Sequence, residues 1–249
     1  MGGASRAEKR RKQEAAEARL RKAGITPPAK TSDGRRTTFI AVAALAVVAL
    51  VVGVGVLLNR DSAPPVVPTY TATADAGVVT VGDGPVVVDI YADYLCPACE
   101  RFEERYGDEL ITALNNGQIT VRHHGVAILD ERTDPPGYST RAANAALCAV
   151  PAGIFPTYHH LLFDEQPAGS EGLSDEQLVA FGTELGAGAD FASCVTGAVH
   201  ADEVAAETEA ATSNPALQSS DGFGTPTVTL DGALVDFNDT EWLQNAISG

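Results

Sequence analysis

Residues 39–58 form one unbroken run of twenty uncharged, almost wholly apolar positions, and everywhere else the apolar residues come in short periodic groups. Twenty residues at about 1.5 Å each cover the roughly 30 Å hydrocarbon layer, so this run predicts a transmembrane helix. The apolar region of a cleavable signal is shorter, about 7–15 residues, which favours an uncleaved anchor. Past the run, Gly77-Val78-Val79-Thr80-Val81, a Gly82-Asp83-Gly84 turn and the apolar stretch from Val86 to Tyr91 predict a hairpin-like opening. Phe102, Tyr106, Leu110, Ile111 and Leu114 then recur close to a 3.6-residue period, predicting a helix from Pro97 to about Asn115 that Asn116-Gly117 ends. Ile119, Val121, Val126 and Ile128 alternate or nearly so and mark a further strand. Strand, helix, strand implies a right-handed crossover and a parallel sheet core.

From 130 to 216 the period is helical throughout, with helices expected at 139–150, 154–165, 174–185 and 190–212. Ser174 and Gln177 complete a capping box for the third of these. Four successive helices make an insertion rather than part of the sheet. Thr227 to Leu230, the Asp231-Gly232 turn and Ala233-Leu234-Val235 then read as a hairpin, closed by a helix at about 239–247. The fold class is therefore α/β with a helical insertion, preceded by one membrane-spanning helix.

Charge divides the chain at the apolar run. Residues 1–38 carry eleven Lys/Arg against four acids, a basic tail that keeps the N-terminus cytoplasmic and sends the C-terminal part outward. Residues 59–76, rich in Pro, Thr and Ala, read as an extended tether, leaving residues 77–249 as one exported domain with a sizeable core. From residue 60 on there are six Arg, no Lys and twenty-nine acids, a formal −23 within the net −16 of the chain. A surface of that sign repels nucleic acid. It also keeps the domain soluble beside a membrane. All four cysteines lie in this exported part, where disulfides persist.

The candidate chemistry is Cys96-Pro97-Ala98-Cys99, placed where the Val86–Tyr91 strand meets the next helix. Free backbone N–H groups and the positive end of the helix dipole favour a thiolate there and lower a cysteine pKa from about 8.5 to roughly 3.5–7.5. Pro97 suits the first helical turn. Cys99 lies one turn further on the same face, within reach of a mixed disulfide at Cys96. Cys96 is then the exposed nucleophile and Cys99 the resolving thiol. A zinc half-site is the other reading of this spacing, but no second pair follows at ligand distance, so neither metal nor cofactor is assigned. His123-His124, His159-His160 and His200 offer no i, i+4 pair and are read as core or surface histidines, metal coordination being the alternative. Asp93 and Glu100 are read as solvated charges, Trp242 as core, and Tyr94, Leu95 and Phe223 as the border of an apolar substrate groove.

A Cys-x-x-Cys at a helix start, a long helical insertion, then Gly224-Thr225-Pro226-Thr227 before a hairpin and a final helix resembles the thioredoxin fold of the DsbA-like class. The Asp-Tyr-x-Cys-Pro-x-Cys form of Asp93 to Cys99 is similar to that of membrane-anchored actinobacterial thiol–disulfide oxidoreductases. The resemblance covers about residues 77–249. It implies a cis Pro226 beside the cysteine pair, with Thr225 offering backbone groups to a substrate strand. It implies exported polypeptides as substrates and a quinone-linked membrane partner, DsbB-like or vitamin K epoxide reductase-like, for reoxidation. A second disulfide also occurs in these relatives. Cys148 and Cys194 would supply it here, stabilising the domain by roughly 4 kcal/mol through loop closure; two separate buried thiols are the alternative. Relatives often place a buried acid six residues before the first cysteine to move protons for the second. Asp89 stands seven before, which turns it to the wrong face unless a bulge intervenes. Pro97-Ala98 also lacks the histidine found between the cysteines of the strongest oxidant in the class.

Overall fold

The structure is a computed structural model that describes residues 66–220 and 222–248. The basic tail, the apolar run at 39–58 and the start of the tether lie outside the described residues. Among the described residues no helix is long and apolar enough to cross a membrane.

The chain builds one six-stranded sheet from β1 (Ala72–Asp75), β2 (Val78–Val81), β3 (Val86–Ala92), β4 (Ile119–Gly125), β5 (Thr227–Leu230) and β6 (Ala233–Leu234), in the order β1-β2-β4-β3-β5-β6. β3 sits centrally, with Val88 and Ile90 buried on one face and Asp89 on the other. It pairs in parallel with β4 from Val86↔Ile119 to Ala92↔Gly125, across the crossover helix α1 (Pro97–Asn115), and antiparallel with β5 from Val88↔Leu230 to Tyr91↔Thr227. The expected crossover and parallel core are thus present.

The expected hairpin between β2 and β3 is not. β2 pairs with β4 and β1 instead, through Val78↔His124 and Asp75↔Val78. The glycines after β2 serve a close backbone passage: a Cβ on Gly84 would lie 2.2 Å from the Ile119 nitrogen, and Gly84 N–H donates to the Ile119 carbonyl at 3.2 Å. The turn that does form, at Ala76 (φ 48°) and Gly77 (φ 84°), joins β1 to β2, so the tether ends before residue 76. Asn115 holds the preceding residues down, accepting from Thr69 N–H at 2.8 Å and donating to the Val67 carbonyl at 2.9 Å.

The insertion comprises α2 (Tyr138–Ala149), α3 (Phe155–Asp164), α4 (Asp175–Glu184), α5 (Ala189–Thr196) and α6 (Ala201–Ser213), with short 3₁₀ turns at Asp130–Arg132 and Pro215–Leu217. The fourth expected helix is two, because the chain turns at Gly197-Ala198, where Ala198 adopts φ 48°. The capping box at Ser174 and Gln177 forms in both directions. α7 (Trp242–Ile247) closes the domain. α1 buries Cys99, Phe102, Tyr106, Leu110 and Leu114, the stripe its periodicity predicts. α2 is almost wholly buried and is the axis of the insertion.

Cys148 of α2 and Cys194 of α5 are joined in a disulfide, with Cα atoms 5.8 Å apart. Asn144 reinforces the same junction, donating to the Val195 carbonyl at 3.3 Å and accepting from His200 N–H at 2.8 Å. The bridge closes a separation of 46 residues. Replacing both cysteines by alanine is expected to lower unfolding free energy by about 4 kcal/mol, read by urea denaturation. A loss under about 1 kcal/mol would show that the helices hold the insertion without the bridge.

Candidate active site

Cys96 is the N-cap of α1, in extended conformation, with Pro97 in the first turn. Its N–H donates to the Asp93 carbonyl at 2.9 Å, and its own carbonyl accepts from the N–H groups of Cys99 (2.9 Å) and Glu100 (3.1 Å). These bonds fix the loop so that both sulfurs point to one side. Both cysteines are free thiols. Cys96 retains 8% of its surface against 1% for Cys99, so the sequence reading of a freely exposed nucleophile needs correcting: the residue is largely buried. It is nonetheless the outer of the two.

The antiparallel pairing of β5 with β3 delivers the next component. Tyr91↔Thr227 is the last rung, so the residues just before β5 arrive beside the loop that follows β3. There the Thr225-Pro226 peptide is cis, as expected, and Cys96 Sγ lies 3.3 Å from the Thr225 carbonyl oxygen.

The two thiols differ sharply. The Cys99 thiol donates to Cys96 sulfur, and this, with the Thr225 side chain and the Ala98 and Cys99 N–H groups of the helix start, outweighs burial and lowers the Cys96 pKa to about 5. Burial, then the same bond and the charge of a Cys96 thiolate, push Cys99 far above the ordinary thiol range. At neutral pH the pair therefore holds one proton, on the inner sulfur.

Of the readings of the surrounding acids, that of Asp93 changes and that of Asp89 holds. Asp93 is fully buried, not solvated: its carboxylate accepts from Leu95 N–H at 2.8 Å and Leu129 N–H at 2.9 Å, and burial raises it to about 6 despite those bonds. Asp89 belongs to the opposite face of the sheet. It is held by Arg122 Nη2 (2.9 Å), Thr229 Oγ1 (2.9 Å) and His124 Nε2 (3.2 Å), and His124 continues to Glu207 of α6 at 2.7 Å. Burial opposes its ionisation, yet the bonds from His124, Arg122 and Thr229 bring it down to about 2. The β3–β4 register runs without a bulge, so Asp89 does not serve Cys99, and the position six before Cys96 is the buried Ile90. Glu103, one turn beyond Cys99 on α1, is the acid that lies buried on the α1 side.

Sequence reasoning missed Gln166. Its Nε2 donates to the carbonyls of Tyr94 (2.9 Å) and Cys96 (3.3 Å), tying the end of α3 to the cysteine loop. Only the bond pattern exposes such a residue, because a glutamine just past a helix end carries no motif. Tyr94 and Leu95 are buried rather than groove-lining, while Phe223 packs edge-on against Tyr91. His200 lies within 4.8 Å of the Cys148 and Cys194 sulfurs, but the disulfide leaves these no thiolate with which to bind a metal.

Titration of the reduced protein, followed by thiolate absorbance near 240 nm, is expected to show one cysteine ionising near pH 5, with Cys99→Ala moving that midpoint upward. The folded value lies below the ordinary thiol value of 9.0, so this group stabilises the reduced fold fully above about pH 9. The contribution falls as pH drops through 5. A midpoint near 8.5 in the wild type would mean that the helix start and Cys99 do not act on Cys96.

Residues 78–248 match a thioredoxin family. Among solved structures, MdbA, a thiol-disulfide oxidoreductase from Corynebacterium diphtheriae, superposes with a TM-score of 0.63 at 23% identity, covering 72% of this chain and 94% of that one. The reduced disulfide bond oxidoreductase DsbG from Mycobacterium tuberculosis gives 0.54 at 27% identity, covering 66% and 83%. Serine/threonine-protein kinase PknE of M. tuberculosis is 29% identical over 170 residues, 66% of this chain but 30% of the kinase, so the chain spans under a third of that relative. The family match runs through the central sheet, the cysteine pair, the helical insertion and the cis-proline loop, and this chain belongs to the thioredoxin family.

Proposed function

We propose that this chain, a thiol–disulfide oxidoreductase of the DsbA-like kind, works as an oxidase of cysteine pairs in exported polypeptides. The observation that carries the direction is the asymmetry of the pair, with Cys96 lowered to about 5 and Cys99 raised out of the ordinary range. Only the reduced enzyme has a thiolate to stabilise, so whatever lowers the Cys96 pKa favours reduced enzyme and makes the disulfide form the stronger oxidant.

The steps follow from the geometry. A substrate thiolate attacks Cys96 Sγ of the Cys96–Cys99 disulfide, the outer sulfur. The S–S bond breaks, Cys99 leaves with the electron pair and takes up a proton, and substrate and Cys96 share a mixed disulfide. A second substrate thiolate attacks the substrate sulfur of that bond. Cys96 leaves as the stabilised thiolate and the substrate departs oxidised. Thr225-Pro226 borders Cys96 at 3.3 Å and is the backbone on which an extended substrate segment would lie. Return of the enzyme to its disulfide requires an electron acceptor, in this reading a quinone-linked membrane protein of the DsbB or vitamin K epoxide reductase-like kind.

The apolar run at 39–58 and the basic tail before it support an uncleaved single-pass anchor in the cell membrane, N-terminus cytoplasmic and domain outside.

Cys96→Ser is expected to abolish oxidation of a reduced two-cysteine peptide, and Cys99→Ser to accumulate a peptide–Cys96 mixed disulfide visible by mass spectrometry. The equilibrium potential of the Cys96–Cys99 couple decides direction: a value toward about −120 mV supports the oxidase, and one near −270 mV makes the chain a reductase kept reduced by a membrane donor.

A further inference from the structure

On the Asp89 face of the sheet, His124 of β4 is gripped from two other elements at once. Its Nε2 lies 3.2 Å from Asp89 Oδ1 on β3, and its Nδ1 lies 2.7 Å from Glu207 Oε1 on α6. A neutral imidazole carries one N–H and would turn a lone pair toward one of these carboxylates. The ring that fits is the imidazolium, which donates to both. Arg122 and Thr229 complete the shell of Asp89, so that two cations, Arg122 and His124, stand against two carboxylates, Asp89 and Glu207.

From this clamp a line of rings leads to the cis-proline loop. The Tyr91 ring stacks on His124 with centroids 4.1 Å apart and planes 19° from parallel, the arrangement in which a cation is attracted to an aromatic face. Phe223 meets Tyr91 edge-on at 6.2 Å. Both rings, with Ile128, pack against the buried Val126, Ala211 and Leu217. Phe223 stands two residues before Thr225, between Gly222, at φ 97°, and Gly224. A segment with glycine on each side of its one large side chain is weakly fixed by its own backbone, so the contacts of that ring decide where it lies. Beyond it, Thr227 Oγ1 donates to the Gly224 carbonyl at 2.6 Å and fixes the far end. We propose that His124, as an imidazolium, is a positioning residue for substrate docking, acting through Tyr91 and Phe223 to hold Thr225-Pro226 where an extended peptide can lie beside Cys96.

Among the described residues, the titratable and charged groups that face His124 are Asp89 and Tyr91 of β3, Arg122 and the adjacent His123 of its own strand, and Glu207 of α6. Burial opposes the charge on His124, yet the bonds from Asp89 and Glu207 outweigh it and raise the ring above its ordinary 6.5. A folded value that is raised means a clamp fully charged below 6.5, which is released as pH climbs through the folded value. Losing that proton removes the cation under Tyr91 and leaves one carboxylate facing a lone pair.

This role rests on the oxidoreductase reading, with Thr225-Pro226 as the docking backbone. A wild-type chain that turns over no peptide would sink that reading, whereas the role of His124 is read from how KM separates from kcat. The test is steady-state exchange between the full-length chain and a two-cysteine peptide, supplied reduced or as its disulfide, whichever form is turned over. Near pH 6, His124→Gln is expected to raise the peptide KM about fivefold, the scale of a lost cation–aromatic contact, with kcat changed less than about twofold. Dividing that KM by the wild-type value cancels the ionisation of the peptide's own thiols, and the ratio is expected to fall toward one as pH rises above 6.5 and wild-type His124 gives up its proton. Glu207→Gln removes one of the two carboxylates and is expected to bring the rise in KM to lower pH. In both variants the Cys96 midpoint stays near pH 5. A wild-type KM in folded His124→Gln near pH 6, or a KM ratio that is constant with pH, overturns the proposal. So does a displaced Cys96 midpoint, since the effect would then fall on the sulfur and not on the loop. If His124→Gln does not fold, Glu207→Gln decides alone, and a KM profile identical to wild type rejects the role.

Discussion

One negative charge on Cys96 sulfur organises the redox end of this domain. It is held by the N–H groups at the start of α1 and by the thiol of Cys99, and the Thr225 carbonyl lies beside it at 3.3 Å. That arrangement needs a strand that ends where a helix begins, and a second strand that brings its preceding loop alongside. β3 supplies the first and β5 the second, and the rung Tyr91↔Thr227 is where the two requirements meet. The burial of β3 on both faces, by Val88 and Ile90 on one and by the hydrogen-bonded Asp89 on the other, is thus more than core filling. It forces the strand into the middle of the sheet, with neighbours on both sides, and only a central strand can receive β4 and β5 together.

The charge is stable because its surroundings are unequal. Cys99 is sealed behind Cys96 and keeps its proton, so it acts as a hydrogen-bond donor in the reduced state. Asp93 acts in the opposite sense. A carboxylate buried three residues before the nucleophile costs energy when it ionises, and its interaction with a Cys96 thiolate is unfavourable. Two backbone N–H groups hold it, and in doing so they fasten the loop after β4 to the cysteine loop. The structure keeps an electrostatically adverse group for the sake of a rigid junction.

Much of this was legible in the chain. The helix period of α1, the strand before it, the turn at Asp231-Gly232 and the capping box at Ser174 are local signals, and each forms where it is written. The cis Thr225-Pro226 bond and the Cys148–Cys194 bridge came from resemblance rather than from local chemistry. What failed was long-range. Gly82 and Gly84 look like a turn, but Gly84 is required by the backbone of Ile119, thirty-five residues on, and no local pattern distinguishes the two uses. Asp93 looks like a solvated helix-start charge because its two donors come from Leu95 and from Leu129. His123, His159 and Glu103 lie on three different elements, so their meeting could be read only from the assembled fold.

Gln166 carries a consequence for how the domain can vary. It belongs to the helical block inserted between the two halves of the sheet, yet its amide grips the peptide oxygens of Tyr94 and Cys96. The block and the reactive turn are therefore mechanically continuous, and a shift at the end of α3 is transmitted to the sulfur's own peptide unit. Exchanging this block between related chains would transplant a reactivity setting along with a surface, so the insertion has to be inherited together with the turn it restrains.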